Sequence, residues 1–334
     1  MRIIAALSLL LLTATASGHH SRSHFSDEIS IIEGTLVAVH WVNPHVGFTV
    51  DITNEAGEAE RWRVEGVTNL GGMRRDGVAA ERFTIGSHVR FAGNRSMRRP
   101  RDFLATNVLL EDGVEVVLDG AAGPFWEGEF IGRPDPSLVD TMPVDAAAEN
   151  RGIFRVWSMA PNGVGQRAAF PFTDAAIAAR ADWDPLDNFA ENCEPEGMPR
   201  IMRNPHPFEF VDDGSEIRIV SELYDLIRTV HMDEDAPPAD APASPLGYSV
   251  GRWDGDSTLV VTTTHVNWPY FDNIGTPQSE DARMHETFTV SSDQTRLDYR
   301  LTVTDPGTFT EPAVYERYWL ALGAEIELYD CQVF

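Results

Sequence analysis

From residue 216 to residue 331, apolar and polar residues alternate in short segments, which are separated by Asp-Gly and Asp-Pro-Gly turns. Alternation with a period of two is typical of β-strands with one buried face. The segments predicted as strands are 216–223, 226–232, 248–253, 258–265, 285–291, 296–304, 313–320 and 325–331. Eight successive antiparallel strands favour a lipocalin-like β-barrel, with a β-sandwich as the alternative.

A second group of alternating segments lies nearer the N-terminus. Strands are predicted at 31–41, 47–53, 60–66, 88–93 and 105–110, with a short helix within 67–77. Five short strands with one helical insertion favour a small β-barrel of the OB type, although SH3-like barrels have similar patterns. The sequence therefore predicts a mainly β protein with two barrels.

The first 18 residues have the pattern of a signal peptide. Arg2 precedes an apolar run of about ten residues, and Ala16 and Gly18 form a small-x-small cleavage site. Ten apolar residues are too few to span a bilayer, and no later segment has the roughly twenty that a transmembrane helix needs. We therefore expect a periplasmic or secreted protein without a transmembrane anchor.

Composition indicates that the chain is divided into two domains, and it excludes several classes of function. Of the formal charge of -26, residues 19–118 contribute -3 and residues 119–334 contribute -24. Together with a Gly-, Pro- and Ala-rich stretch, this difference predicts a first domain at 19–118, a linker at 119–150 and a second domain at 151–334. The acidic balance argues against a nucleic-acid partner. Because the chain has no lysine, pyridoxal phosphate and P-loop chemistry are excluded within it.

The two cysteines, Cys193 and Cys331, are predicted to form a disulfide. An exported protein folds in an oxidising compartment, and neither cysteine has a CxxC partner. The bond would join the last predicted strand to the start of its own domain. A metal or redox role is the alternative.

The first domain carries His19-His20-Ser21, Gly34-Thr35-Leu36 and Trp41-Val42-Asn43-Pro44-His45. With these motifs it resembles a family of exported bacterial proteins of unknown function. A chain cleaved after Gly18 would offer the α-amino group and imidazole of His19, and His20 and His45 are candidates to complete a copper site. The alternative is a polar terminus, with Asn43 and His45 holding a turn by hydrogen bonds.

The second domain resembles an uncharacterised module of exported bacterial proteins. The motifs that carry this resemblance are Cys193-Glu194-Pro195-Glu196-Gly197-Met198-Pro199-Arg200, Asn204-Pro205-His206-Pro207-Phe208-Glu209 and Gly251-Arg252-Trp253-Asp254-Gly255-Asp256. It implies no established activity.

Alternation within the predicted strands places some charged groups on apolar faces. Glu286 shares a face with Phe288 and Val290, and Glu316 shares one with Val314 and Tyr318. A carboxylate in such a position needs a partner, and the candidates are Arg200, Arg228, Arg252 and Arg300.

Three interpretations of these polar groups stay open. They are buried Arg–carboxylate pairs that organise the barrel, a ligand pocket, or an acid–base site. The candidate ligand-binding residues are Tyr224, Arg228, His265 and Glu286, and the candidate catalytic residues are His231, Glu286 and Asp233. The favoured hypothesis is a protein that binds a small apolar or amphipathic molecule. Copper handling and catalysis in the second barrel are the alternatives.

Overall fold

A computed structural model of the chain describes residues 24–119, 122–132, 151–159, 169–321, 323 and 325–333. The predicted signal peptide, His19 and His20 lie outside these residues. No helix in the described part of the chain is long and apolar enough to cross a membrane.

The first domain is built from five strands that pair in a ring. They are β1 (Phe25–His40), β2 (Gly47–Thr53), β3 (Ala59–Gly66), β4 (His88–Ser96) and β5 (Asp102–Leu109). The long β1 pairs with both β2 and β4, and β3 closes the ring by pairing in parallel with β5. This connectivity, with a helix between β3 and β4, is that of an OB-type barrel.

The helix α1 (Leu70–Arg75) lies between β3 and β4, within the segment predicted to hold one. The side chain of Asn69 accepts a hydrogen bond from the Gly72 N–H at 2.6 Å and caps the first turn. Leu70 and Met73 pack into the core of the first barrel. The arginines of the last turn, Arg74 and Arg75, face the second domain through ion pairs.

The predicted linker starts as part of the first domain. β6 (Glu115–Val117) pairs with β5, and β7 (Phe130–Ile131) pairs in parallel with β6. Glu115 holds the intervening chain, because its carboxylate accepts hydrogen bonds from the N–H groups of Phe125 and Trp126 at 2.6 and 3.0 Å. The described part of the linker therefore lies against the first barrel.

The second domain is a closed barrel of nine strands, which excludes the β-sandwich alternative. The strands are β8 (Val156–Met159), β9 (Phe208–Asp212), β10 (Glu216–Ser221), β11 (Ile227–His231), β12 (Tyr248–Asp254), β13 (Thr258–Thr264), β14 (Arg283–Val290), β15 (Arg296–Thr304) and β16 (Ala313–Leu320). Between β8 and β9 lie the α-helix α2 (Asp174–Asp182), capped by Thr173, and the short 3-10 helices Pro185–Asp187, Phe189–Asn192 and Arg200–Arg203.

The barrel differs from the predicted one in three ways. β8 and β9 join β16 to β10, so two strands too short to give a clear alternating signal complete the closure. β11 and β12 are parallel, because the acidic, proline-rich connection between them crosses over instead of forming a hairpin. The predicted strand at 325–331 is an extended tail that forms one isolated bridge, from Cys331 to Asn43 of the first domain.

Large side chains fill the interior of the second barrel. Those that are almost completely buried include Trp157, Trp319, Phe210, Phe288 and Tyr299. The rings of Phe210, Phe288, Tyr299 and Trp319 contact one another in that order at centroid distances of 4.8 to 5.2 Å, as interior aromatic pairs do. The barrel is therefore a packed core along most of its length.

The predicted disulfide between Cys193 and Cys331 is confirmed, with an S–S distance of 2.08 Å. It attaches the C-terminal tail (residues 325–333) to the segment that enters the second barrel. The tail lies between the two domains: Gln332 N–H donates to the Asn43 carbonyl at 2.8 Å, and the Asn43 side chain donates to the Tyr329 carbonyl.

Candidate functional site

One end of the second barrel is closed by a short 3-10 helix, Arg200–Arg203. The helix follows Pro199 and precedes Asn204, and so connects two of the three motifs that carry the resemblance of the second domain. Arg200, Ile201 and Met202 are buried. Because the helix lies across the strand ends, it places both apolar and charged side chains against the interior of the barrel.

Two groups of arginines face this interior, and the first is a complete network around Arg228 and Glu286. Arg228 Nη1 donates to Glu286 Oε1 at 3.0 Å, Nη2 donates to Thr263 Oγ1 at 2.7 Å and also to Glu286, and Nε donates to Ser249 Oγ at 3.0 Å. Tyr299 Oη donates to Glu286 Oε1 at 2.9 Å. Burial and the charge of Glu286 raise the pKa of Tyr299, so the phenol stays a donor.

The second group consists of Arg200, Arg203 and Arg317. Arg200 Nε lies 3.4 Å from Glu196 Oε1. Arg203 Nη1 donates to the Phe271 carbonyl at 3.3 Å, and Arg317 Nη1 donates to the Asn204 carbonyl at 3.1 Å. We call these three residues the arginine cluster.

Aromatic rings supply much of the remaining contact of the arginine cluster. The guanidinium of Arg203 lies between the rings of Phe170, Phe271 and Tyr315 at 4.8 to 5.3 Å, and that of Arg317 lies 4.8 Å from the Trp319 ring. Burial lowers the pKa of Arg203 and of Arg317, and the charge of Arg200 adds to both shifts. The rings attract these cations but do not neutralise them.

A pocket lies beside the 3-10 helix. It is lined by Ile201, Met202, Asn204, His206, Phe208, Ile219, Ser221, Leu226, Arg228, Leu246 and Trp319. It has room for about one water molecule. We call this the end pocket, and the half-buried Leu226 and Leu246 are its less buried lining residues.

The backbone beside the end pocket contains two successive non-glycine residues in the left-handed region. Tyr224 has a φ of 58° and Asp225 a φ of 52°. Such residues cost of order 1–3 kcal/mol each and persist where the surrounding structure fixes them. The tail provides part of that fixing, since Tyr329 N–H donates to Asp225 Oδ1 at 3.0 Å and the two tyrosine rings are 5.1 Å apart. Burial raises the pKa of both phenols.

The contact between the domains lies next to this strained segment. Asn69, which caps α1, also donates from Nδ2 to His206 Nδ1 at 3.1 Å. Arg75 Nη1 lies 3.6 Å from Glu222 Oε2, and Arg74 forms an ion pair with Glu327 of the tail. A Cβ at Gly71 would lie 3.0 Å from Glu222 Oε1, so glycine permits this close approach.

Of the predicted ligand-binding residues, the structure brings Arg228 and Glu286 together in the barrel and places Tyr224 beside its end. His265 does not line the end pocket. It lies after β13, with Nδ1 2.8 Å from Thr264 Oγ1 and Nε2 3.4 Å from the Ala239 carbonyl.

The predicted catalytic residues lie on two sides of the barrel wall. His231 alternates with the buried Val230 and points outwards, where it stacks on Tyr248 at 4.4 Å and lies 3.2 Å from Glu216. Asp233 lies nearby on the outer side, whereas Glu286 is fully buried inside. The structure therefore does not bring His231 and Glu286 together.

The prediction of which face of β16 is buried was wrong. In β16 the side that carries Val314, Glu316 and Tyr318 points outwards, and Glu316 pairs with the exposed Arg300. The interior side carries Ala313, Tyr315, Arg317 and Trp319. Both sides of this strand contain large apolar residues, so alternation alone could not select the buried one.

Of the predicted metal ligands, only His45 lies within the described residues. It is buried, and its Nε2 lies 3.9 Å from Glu65 Oε1. In the part of the chain that the structure describes, no group of three or more His, Cys, Asp or Glu residues could hold a metal ion. Copper binding through His19 and His20 stays a prediction.

Sequence reasoning missed most of the arginine cluster. Arg200 was named as a possible carboxylate partner, but Arg203 and Arg317 were not identified. A usable signal was present: Arg203 follows the resemblance motif by three residues, and Arg317 lies between Tyr315 and Trp319 with a period of two. A basic residue that alternates with aromatic ones indicates a buried cation as readily as an exposed one.

The first domain matches a known protein family. Residues 7–101 match the model of a family of unknown function (DUF6152). The resemblance of the first domain to an uncharacterised family is thereby confirmed, and the match includes β1 to β4 and the Trp41–His45 motif. No curated protein matches the chain.

Proposed function

We propose that this is an exported protein that binds a small amphipathic molecule in the end pocket of its second barrel. The observation that carries the proposal is the lining of that pocket. Apolar side chains form most of it, and four buried polar side chains, Asn204, His206, Ser221 and Arg228, are distributed among them. Ligand sites commonly combine an apolar surface with a few oriented polar groups.

The filled interior limits where such a ligand can lie. Phe210, Phe288 and Tyr299 occupy the middle of the barrel, so a ligand cannot take the central position that it has in a lipocalin. At the end pocket, Leu226 and Leu246 are half-buried, whereas the other lining residues are buried, so we expect the opening to widen at these two side chains. The ligand is therefore expected to enter between these two leucines with its apolar part.

Export is supported by the disulfide between Cys193 and Cys331. Structural disulfides persist mainly in oxidising compartments. Correct cleavage of the signal peptide would be checked by N-terminal sequencing of the protein purified from the periplasm or the medium, and retention of residues 1–18 would contradict export.

The binding proposal is tested with decanoate and decanol as probes, using tryptophan fluorescence, since Trp319 lines the end pocket. We expect Leu246→Trp to fill the pocket and to weaken binding of either probe by about tenfold or more. The matched control is Ile227→Trp, because Ile227 is exposed on the outer side of β11. Equal affinities of the two variants, or no binding by the wild-type protein, would contradict the proposal.

A further inference from the structure

The arginine cluster is the least neutralised group of charges in the described interior of the second barrel. Arg200 and Arg317 are 7% and 6% exposed, and Arg203 is half-buried beside them. Among the described residues, the buried Nε atoms of all three have no hydrogen-bond partner. Buried guanidinium groups are normally paired, because removing a charge from water is costly.

Among the described residues, too few carboxylates lie near the cluster to balance its charge. Glu196 lies 3.4 Å from Arg200 Nε, and its other oxygen already accepts a hydrogen bond from Asn204. Asp272 acts on Arg203 electrostatically, but its oxygens accept hydrogen bonds from Ile274 N–H, Thr276 N–H and Thr276 Oγ1. Three cations and two anions leave one positive charge in excess.

In the network around Arg228, in the same barrel, a carboxylate balances the charge of the arginine. There one carboxylate faces one guanidinium, and hydroxyl groups take the remaining donors. In contrast, Arg317 donates to the backbone carbonyl groups of Met202 and Asn204, forms a hydrogen bond with the Tyr315 side chain and packs on the ring of Trp319, and none of these partners is a carboxylate. The arginine cluster therefore has unused capacity for an anion.

The cluster also adjoins the end pocket. Three of the residues that Arg317 contacts, Met202, Asn204 and Trp319, line that pocket. Arg317 thus lies directly behind one wall of it. A ligand that enters with an apolar part would bring its other end towards these arginines.

We infer that the arginine cluster is an anion site, and that the ligand of the end pocket carries an anionic group, a carboxylate, sulfate or phosphate, that pairs with Arg317 and Arg200. The identity of the ligand class rests on the proposed function. Guanidinium groups bind such oxyanions by charge-assisted hydrogen bonds, which are shorter and stronger than neutral ones.

Sodium sulfate tests the anion site without the apolar part of a ligand. We expect a saturable rise in Tm at low millimolar sulfate, because a ligand that binds only the folded state stabilises it. Arg317→Met should abolish the saturable rise. Arg300→Met is the matched control, since Arg300 lies on the neighbouring strand but is exposed and paired with Glu316. The control should respond as the wild-type protein does.

A rise that is linear in sulfate and equal in all three proteins would overturn the inference, since excluded salts stabilise any folded protein. If Arg317→Met does not fold, Arg200→Met replaces it. Saturation in the wild-type protein is then also checked by calorimetric titration, where no detectable heat of binding would overturn the inference.

Matched amphiphiles separate the anion site from the proposed function. We expect decanoate to bind the wild-type protein about tenfold or more tightly than decanol, and Arg317→Met to remove that difference. Equal binding of both probes, lost in Leu246→Trp, would overturn the anion site and keep the proposed function. Sulfate binding without binding of either amphiphile would keep the anion site and overturn the proposed function.

Discussion

The second barrel holds two groups of arginines, and they differ in how their charge is balanced. Arg228, which lines the end pocket, has a carboxylate, two hydroxyl groups and a tyrosine-supported network around it. Arg200, Arg203 and Arg317, which lie behind the pocket wall, have backbone carbonyls, aromatic rings and an incomplete set of carboxylates. Both groups adjoin the pocket, so the missing counter-charge, and not the position, is what distinguishes the arginine cluster.

The largest expected effect comes from Glu286→Gln in the middle of the barrel. This substitution leaves Arg228 charged and buried without its counter-ion, which costs about 3–5 kcal/mol of the free energy of unfolding. Urea denaturation measures the loss. The control is Glu316→Gln on β16, whose pair with Arg300 is exposed and whose effect should stay within about 0.5 kcal/mol. Similar losses of the free energy of unfolding in both variants would contradict a structural role that is specific to the buried Arg228–Glu286 pair.

The second-largest loss of stability is expected where the C-terminal tail contacts the first domain. Asn43→Ala removes the acceptor of the Leu70 N–H, at 3.0 Å, and the donor to the Tyr329 carbonyl. Leaving these buried groups unpaired costs about 1–3 kcal/mol. Hydrogen exchange should show faster exchange in residues 325–333. Gln332→Ala is the control, because that side chain bonds to Asp330 within the tail itself. Unchanged tail exchange in Asn43→Ala would show that the disulfide alone holds the tail.

A smaller effect is expected for Arg317→Met in sulfate-free buffer. The variant loses two hydrogen bonds to carbonyls, but it also removes an unbalanced buried charge, so the net cost should be about 1 kcal/mol. The same urea measurement compares it with Glu286→Gln. A loss as large as that of Glu286→Gln would mean that the arginine cluster belongs to the structural core, as the Arg228 network does.

The smallest effect concerns Asp76, which follows α1 at the junction. Burial raises the pKa of Asp76 from 3.8 to about 6, against a smaller lowering effect of Arg75. The folded state therefore holds this proton more tightly than the unfolded chain does. The resulting stabilisation is complete below pH 3.8 and is lost as the pH rises through about 6.

We accordingly expect Asp76→Asn to stabilise the protein by about 1 kcal/mol at pH 7.5, after allowance for solvent screening, and to have little effect at pH 3.5. Thermal unfolding at the two pH values measures this. A gain that does not change with pH would contradict burial of the charged carboxylate as its cause. Asp112→Asn is a useful contrast, since the ion pair with Arg82 lowers the pKa of that exposed carboxyl.

Much of the fold could be predicted because local patterns decide it. Alternation located all five strands of the first barrel and β10 to β16 of the second, although β1 begins at Phe25, six residues before its predicted start. β8 and β9 were missed because four or five residues give too short a pattern, and the strand predicted at 325–331 was wrong because the tail finds its partners in the first domain.

The candidate site was predictable only in part. Glu286 stood out because a carboxylate shares a face with Phe288 and Val290, and Arg228 was named among its possible partners. Arg317 did not stand out because both faces of β16 carry large apolar side chains. His231 and Glu286 were both candidates for one acid–base site, since sequence does not show on which side of a barrel wall each residue lies.

The sequence by itself determined that this chain forms two β-domains, that its acidic charge lies mainly in the second, and that Cys193 and Cys331 pair. These properties follow from period-two alternation, composition and the scarcity of cysteine, all of which are local or additive. Only the tertiary structure decided which arginines have their charge balanced by a nearby carboxylate. Charge balance depends on distances between residues far apart in the chain, such as the 58 positions that separate Arg228 from Glu286.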